Sequence, residues 1–310
     1  MSKPLLFITG FLGAGKTTLL RALLNKFNQL DQTADVILND FENAEIDAAT
    51  LPKSKASIFP LAASCACCDS LDDLVKLCLA AQKSEGDALL IELNGTADPL
   101  PLLETFTLLE EKMPFAPRWQ VAVVDARHWG QRKQFDALEI RQIETATHWL
   151  LSHRDGLTDS EISAIVQSVE HTNRFAIRVD APRLAADLNA STTLQLPPLK
   201  AEVLSVNDHE HALSHRFTGC QISLPGRFHT SQIIQFLESL PEEVVRAKAL
   251  VKLRDSPGCR WLFERTGQHP VREPMRVEMN SKAASTSLVC IGPGLDPPAL
   301  REMVMNNFGV

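Results

Sequence analysis

Short runs of Leu and β-branched residues alternate, over the first half of the chain, with stretches in which apolar residues recur every three or four positions. The runs are Leu5–Thr9, Val36–Asn39, Ala88–Leu93, Gln120–Val124, Trp149–Leu151 and Phe175–Val179. Most are apolar throughout rather than alternating, the pattern of parallel strands covered on both faces. The intervening periodicity predicts helices over Lys16–Phe27, Leu71–Gln82, Pro99–Glu111, Phe135–Thr145 and Asp159–His171. This βαβα order predicts a doubly wound, mostly parallel α/β domain over residues 1–185. The pattern loosens through Ala181–Asp208, which contains Ser191-Thr-Thr and Pro197-Pro198, so residues 186–210 read as a linker. In 211–310, strands at Arg216–Leu224, Val245–Leu253, Cys259–Glu264 and Thr286–Ile291 join helices at Thr230–Leu240 and Pro297–Val304 into a smaller α+β domain.

Composition narrows the class. The 310 residues are 45% apolar and 22% charged, enough to build a sizeable core without disulfides. No segment approaches the roughly 18 uninterrupted apolar residues of a membrane span. The start has one Lys and an apolar run of only five residues, short for a signal peptide's apolar core, so a cytoplasmic location is expected. The whole net charge of −7 falls in residues 1–200, and 201–310 is neutral. Neither part has the basic face that nucleic-acid binding needs, so no nucleic-acid or membrane partner is expected. Seven cysteines, an odd number, favour thiols or metal ligands over a disulfide framework.

Gly10-Phe-Leu-Gly-Ala-Gly15-Lys16-Thr17-Thr18 follows the first predicted strand and opens the first helix, the context that a GxxxxGK[ST] phosphate loop requires. This makes the expected fold a P-loop NTPase. In such a loop the backbone N–H groups of Gly10, Gly13, Ala14, Gly15 and Thr18 curl around the phosphates at a helix N-terminus. Lys16 reaches the β- and γ-phosphates, and the Thr17 hydroxyl ligates Mg²⁺. Ala88–Gly95 is a strand ending in Glu92, with Gly95 three residues on. Glu92 is placed to position Mg²⁺ or the attacking water, and the Gly95 amide to sense the γ-phosphate. Asn39-Asp40-Phe41-Glu42-Asn43 is an acidic loop after the second strand, and Asp40 is its candidate for completing the Mg²⁺ shell.

Cys65-Ala66-Cys67-Cys68 precedes a helix start at Asp69-Ser70-Leu71-Asp72-Asp73. Three thiols at this spacing can converge on one soft or borderline cation, with a water, His or carboxylate as fourth ligand. A redox pair of Cys65 and Cys68 and a purely structural loop are the other two readings, and the extra vicinal cysteine favours metal. Cys78, Cys220, Cys259 and Cys290 fall in apolar stretches and read as small buried hydrophobes. His209, His211 and His215 lie among acidic residues and read as solvated rather than chelating.

The phosphate loop, the Cys-Ala-Cys-Cys, Ile91-Glu-Leu-Asn-Gly95-Thr-Ala-Asp-Pro99 and Val123-Val-Asp125-Ala126-Arg-His128 occur in the order seen in the CobW-type GTPases, a group of P-loop metallochaperones. Val245-Arg246-Ala-Lys248-Ala and Val289-Cys-Ile291-Gly292-Pro-Gly-Leu295 resemble that family's C-terminal domain. The resemblance implies a GTP-hydrolysing protein that binds Zn²⁺, or Co²⁺ in some members, through Cys65, Cys67 and Cys68 and passes it to a client metalloprotein. It also implies that Gly13, Gly15, Lys16, Thr17 and Thr18 hold phosphates and Mg²⁺, with Glu92 and Gly95 at the γ-phosphate. The family's guanine signature, Asn/Thr-Lys-x-Asp, stands here as Ser152-His153-Arg154-Asp155, which keeps the carboxylate but replaces Lys by His153. The family's Asn-Glu-Phe-Gly-Glu loop stands as Asn39–Asn43, and Ser64 replaces the usual Gly before the first Cys. An ATP-using small-molecule kinase and a non-hydrolysing metal buffer are the competing functions, and a homodimer is compatible with the sequence.

Overall fold

A computed structural model describes residues 3–38, 58–60, 70–193, 217–266, 270–271, 273–277, 286–293 and 295–309. Asp40, Cys65, Cys67, Cys68, His209, His211 and His215 lie outside these described residues. The chain divides into two compact units, Met1–Leu102 with Leu109–Arg216, and Leu103–Leu108 with Phe217–Val310.

The first unit holds strands β1 (Leu5–Thr9), β2 (Ala34–Leu38), β3 (Ile58–Pro60), β4 (Ala88–Glu92), β5 (Arg118–Asp125), β6 (His148–Ser152) and β7 (Ile177–Arg178). They form one sheet in the order β3-β2-β4-β1-β5-β6-β7, every pair parallel. β1, β2, β4 and β5 are buried at every position, which is why they read as apolar runs. The helices are α1 (Lys16–Gln29), α2 (Ser70–Gln82), α3 (Pro99–Leu108), whose residues from Leu103 on belong to the second unit, α4 (Asp136–Glu144), α5 (Asp159–Thr172) and α6 (Ala181–Thr193). α1 buries Leu19, Leu20, Leu23, Leu24 and Phe27, one stripe at helical spacing. Register places Ile8 beside Glu92 and Asp125 beside Ser152, so the carboxyl ends of β1, β4, β5 and β6 converge. That is the edge where open α/β sheets bind ligands.

The stretch expected to loosen after residue 180 is instead helix α6 as far as Thr193. Asp180 caps its start by accepting from the Arg183 N–H at 2.8 Å. Leu184, Ala185 and Leu188 are buried in the same core as the α1 stripe. The helix was hard to read because only three positions carry the apolar face and the last turn is Ser-Thr-Thr, poor helix formers. β3 is likewise too brief to show a period, whereas β7 lies inside the run expected at Phe175–Val179.

The second unit is a six-stranded sheet of β8 (Phe217–Ser223), β9 (Arg227–Phe228), β10 (Arg246–Leu253), β11 (Arg260–Thr266), β12 (Met275–Val277) and β13 (Ser287–Pro293), with helices α7 (Thr230–Glu238) and α8 (Pro297–Phe308). β10 alternates: Ala247, Ala249, Val251 and Leu253 enter the core, and Arg246 and Lys248 point to the other face. There Glu104 accepts from Arg246 Nε at 2.7 Å and from Lys248 Nζ at 2.6 Å, and Glu264 lies 3.4 Å from Arg246 and 3.7 Å from Lys248. The Arg-x-Lys spacing therefore serves two carboxylates on one sheet face. Cys220, Cys259 and Cys290 are buried free thiols here, as Cys78 is in the first unit. Burial pushes the Cys78 and Cys290 thiols well above the ordinary range, so both are unreactive small hydrophobes.

Candidate functional site

The loop after β1 is built from its glycines. Gly10 has φ 137°, a left-handed conformation, and a Cβ there would stand 2.5 Å from the Val123 carbonyl oxygen on β5. Only glycine satisfies both conditions, which is why the loop can leave β1 pressed against its neighbouring strand. Ala14 N–H donates to the Phe11 carbonyl at 3.1 Å, closing the loop, and Leu19 N–H to Gly15 at 3.0 Å starts the helix ladder. The first-turn N–H groups of α1 have no intrahelical acceptor, so an anion is the group they suit. Gly15 caps the helix with φ 98° and no side-chain cap.

Around this loop the structure assembles most of the predicted residues. Lys16 is buried at 8% exposure, and its Nζ donates to the Phe11 carbonyl at 3.4 Å. Thr17 Oγ1 donates to Glu92 Oε1 at 2.8 Å, joining the helix start to the end of β4. A hydroxyl and a carboxylate in contact form a hard-oxygen donor pair of the kind Mg²⁺ takes. Gly95 packs directly on the loop, since a Cβ there would stand 2.5 Å from Leu12 N. Behind it, Gln142 Nε2 of α4 donates to the carbonyls of Gly95 and Ala97, each at 3.3 Å. Gln120 Nε2 in turn bridges Thr9 Oγ1 at 3.0 Å and the Gln142 carbonyl at 2.9 Å.

The Ser152–Asp155 segment is also tied to the loop. Ser152 Oγ is 2.7 Å from the Ala14 carbonyl and 2.9 Å from that of Val124. His153 Nε2 lies 3.0 Å from the Gly13 carbonyl; a carbonyl only accepts, so this nitrogen carries the proton. His153 holds φ 51° to make that contact. A cavity of about 650 Å³ opens beside it, lined by Gly15, Thr18, Leu19 and Ala22 on α1, by Leu150–Arg154, and by Arg178–Ala181 with Arg183. That size accommodates a nucleoside-sized ligand. Asp155 is exposed and is not part of the lining. Arg178 and Asp180 are residues that the sequence reading missed, because their position at the cavity depends on β7 and α6.

Asp125 stands at the end of β5, where two neighbouring side chains close on its carboxylate. Its side chain is 2% exposed and accepts from Arg127 Nε at 3.0 Å, Arg127 Nη2 at 2.9 Å and His128 Nδ1 at 3.1 Å. Burial alone would raise its pKa, but the bonds from Arg127 and His128 outweigh this and hold the carboxyl well below the usual range. A folded-state value below the ordinary 3.8 gives stability that is fully present above 3.8 and is lost as pH falls from there through the lower folded-state value. Asp125→Asn is therefore expected to lower stability by about 2–4 kcal/mol at neutral pH. In urea titrations at several pH values, its gap from wild type should begin to narrow below about pH 4 and keep narrowing as the pH falls further.

Among the described residues, no group of three or more His, Cys, Asp or Glu side chains is placed to hold a metal ion. No helix among them is long and apolar enough to cross a membrane.

The family model described as CobW/HypB/UreG, nucleotide-binding domain, matches residues 4–179, more than half of the chain. The chain belongs to that family. The Cobalamin synthesis protein cobW C-terminal domain matches residues 217–306, so the resemblance read from the motifs holds in both parts of this CobW-family chain. It is 27% identical to a zinc chaperone CobW of Pseudomonas aeruginosa, over 97% of this chain and 90% of the relative. It is 33% identical to the zinc chaperone YjiA of Escherichia coli, over 50% of each chain. The crystal structure of Zn(II)-bound YjiA GTPase from E. coli covers 99% of both chains at 20% identity, with a TM-score of 0.48.

Proposed function

We propose that this chain is a GTP-dependent zinc chaperone of the cytoplasm, which couples Mg²⁺·GTP binding and hydrolysis to holding Zn²⁺ and releasing it to a client metalloprotein. The observation that carries the nucleotide half is the 2.8 Å contact of Thr17 with Glu92 at the mouth of the phosphate loop. The zinc half rests on Cys65-Ala-Cys-Cys68 and on the zinc chaperone named as a relative along 97% of the chain. Zn²⁺ is cargo here, and Co²⁺ is an alternative cargo that three thiolates also accept.

In this reading, the backbone of Gly10, Gly13, Ala14, Gly15 and Thr18 cradles the phosphates. Lys16 neutralises charge at the β- and γ-oxygens. Mg²⁺ in this site would supply Lewis-acid polarisation of the phosphates. Thr17 would hold it directly, and Glu92 and Asp40 would hold its shell and orient water. The Gly95 amide faces the γ-phosphate. Ser152 and His153 brace the loop from the base side, and Asp155 supplies the carboxylate for guanine N1 and N2. The domain division follows from these tasks: a nucleotide domain over 1–185 extended by the rest of α6, a connection to residue 210, and a C-terminal domain over 211–310.

Glu92→Gln separates binding from turnover, because the amide keeps the contact with Thr17 but cannot serve as a carboxylate. GTP hydrolysis is expected to fall by about 100-fold, while GTP affinity, measured by calorimetry beside ATP, stays within about threefold. Wild-type activity in Glu92→Gln would remove the role given to Glu92, and an equal preference for ATP with phosphate transfer to a metabolite would remove the GTPase reading.

A further inference from the structure

Phe11, the second residue of the phosphate loop, is held on two sides. Its ring is mostly buried and lies under the Arg132 guanidinium, 4.3 Å from its centroid, with Phe135 at 5.4 Å. Its carbonyl faces into the loop, where it accepts from Ala14 N–H at 3.1 Å and Lys16 Nζ at 3.4 Å. Arg132 is itself fixed from three directions. Its Nε donates to Glu139 Oε1 at 3.0 Å, its Nη2 stands 3.6 Å from Asp125 Oδ2, and its backbone N–H donates to Asp136 Oδ1 at 2.6 Å.

We propose that Arg132 is a positioning residue for the phosphate-loop lysine: it clamps the Phe11 ring, and through the Phe11 carbonyl it sets where Lys16 Nζ stands. The inference rests on the GTPase reading above. A guanidinium suits the task because its flat face covers an aromatic ring while its edge reaches two carboxylates, which an ammonium cannot do at once. Glu139 is also buried, and Arg132 is its charged partner there. The arrangement joins Asp136 and Glu139 of α4 and Asp125 at the end of β5 to the loop. A small displacement of a charged group at the reacting phosphates is felt strongly in rate.

The test is a double-mutant cycle on the full chain, with Arg132→Gln, Phe11→Leu and the pair, reading kcat and KM for Mg²⁺·GTP and thermal unfolding. Each single change is expected to lower kcat on the order of tenfold, with KM moving less than about twofold, because the backbone amides still bind phosphate. The double variant should fall no further than the worse single, since both act through one contact. Arg132→Lys should recover part of the rate by keeping a cation over the ring. If Arg132→Gln fails to fold, the comparison of Arg132→Lys with Phe11→Leu carries the same expectation, both being slowed. Wild-type kcat in a folded Arg132 variant, or losses that multiply in the double, overturns the inference alone. A wild-type chain without GTP turnover overturns the GTPase reading along with it.

Discussion

Gly95→Ala should reduce GTP hydrolysis by about 100-fold or more while leaving a folded protein. An added Cβ would meet Leu12 N at 2.5 Å and Leu12 Cα at 2.9 Å, both backbone atoms of the phosphate loop. Neither side can yield easily. The Gly95 segment is held from behind by Gln142, and the loop is pinned by Gly10 against β5. The clash must therefore push apart the two backbone segments proposed to face the phosphates. Preorganised donors displaced by even a few tenths of an ångström lose most of their value in the transition state. Steady-state GTP turnover with a circular dichroism check of folding decides the matter, and retained turnover would mean that Gly95 does not face the nucleotide.

Lys16→Ala is the second large effect, with an expected loss in kcat/KM of about 1,000-fold. Lys16 is buried and stands at the first position of α1, beside the loop. Removing it takes away the cation proposed to face the developing negative charge on the phosphates. Stability should change little, because burying an ammonium is unfavourable in itself and its loss offsets the lost bond to Phe11. Zinc affinity without nucleotide should be untouched, since Cys65, Cys67 and Cys68 are the proposed ligands. Single-turnover hydrolysis and a zinc titration of the same preparation test both statements.

The phosphate loop was legible from the sequence because its chemistry is contiguous: one strand, one glycine-rich turn and one helix start carry it all. Glu92 was legible because it ends an apolar run with a glycine at fixed distance. The contacts of these residues with the rest of the site were not. Arg132 is far from Phe11 along the chain, and only the fold, with Glu139 and Asp125 holding the guanidinium, brings it over the ring. Position 153 shows another limit. The sequence registers only the loss of a lysine, whereas the structure shows an imidazole N–H reaching the Gly13 carbonyl from a left-handed backbone. α6 escaped notice because three apolar residues in a run of small and polar ones make a weak period, although they suffice once α1 offers a matching stripe. The motif Arg246-Ala-Lys248 was visible as a family trait, but its reason, two carboxylates on one face of a sheet, needed Glu104 and Glu264 in place.

These pieces meet in one proposal, that nucleotide and zinc are bound by linked sites. Linkage then requires that each ligand tighten the other by the same factor. The direct measurement is competition for Zn²⁺ against a chromophoric chelator, with and without a non-hydrolysable Mg²⁺·GTP analogue, on the full chain. Coupling predicts a zinc affinity higher by about 5- to 150-fold with the analogue bound, and an equal gain in analogue affinity with zinc bound. Identical zinc affinities in the two titrations would contradict it.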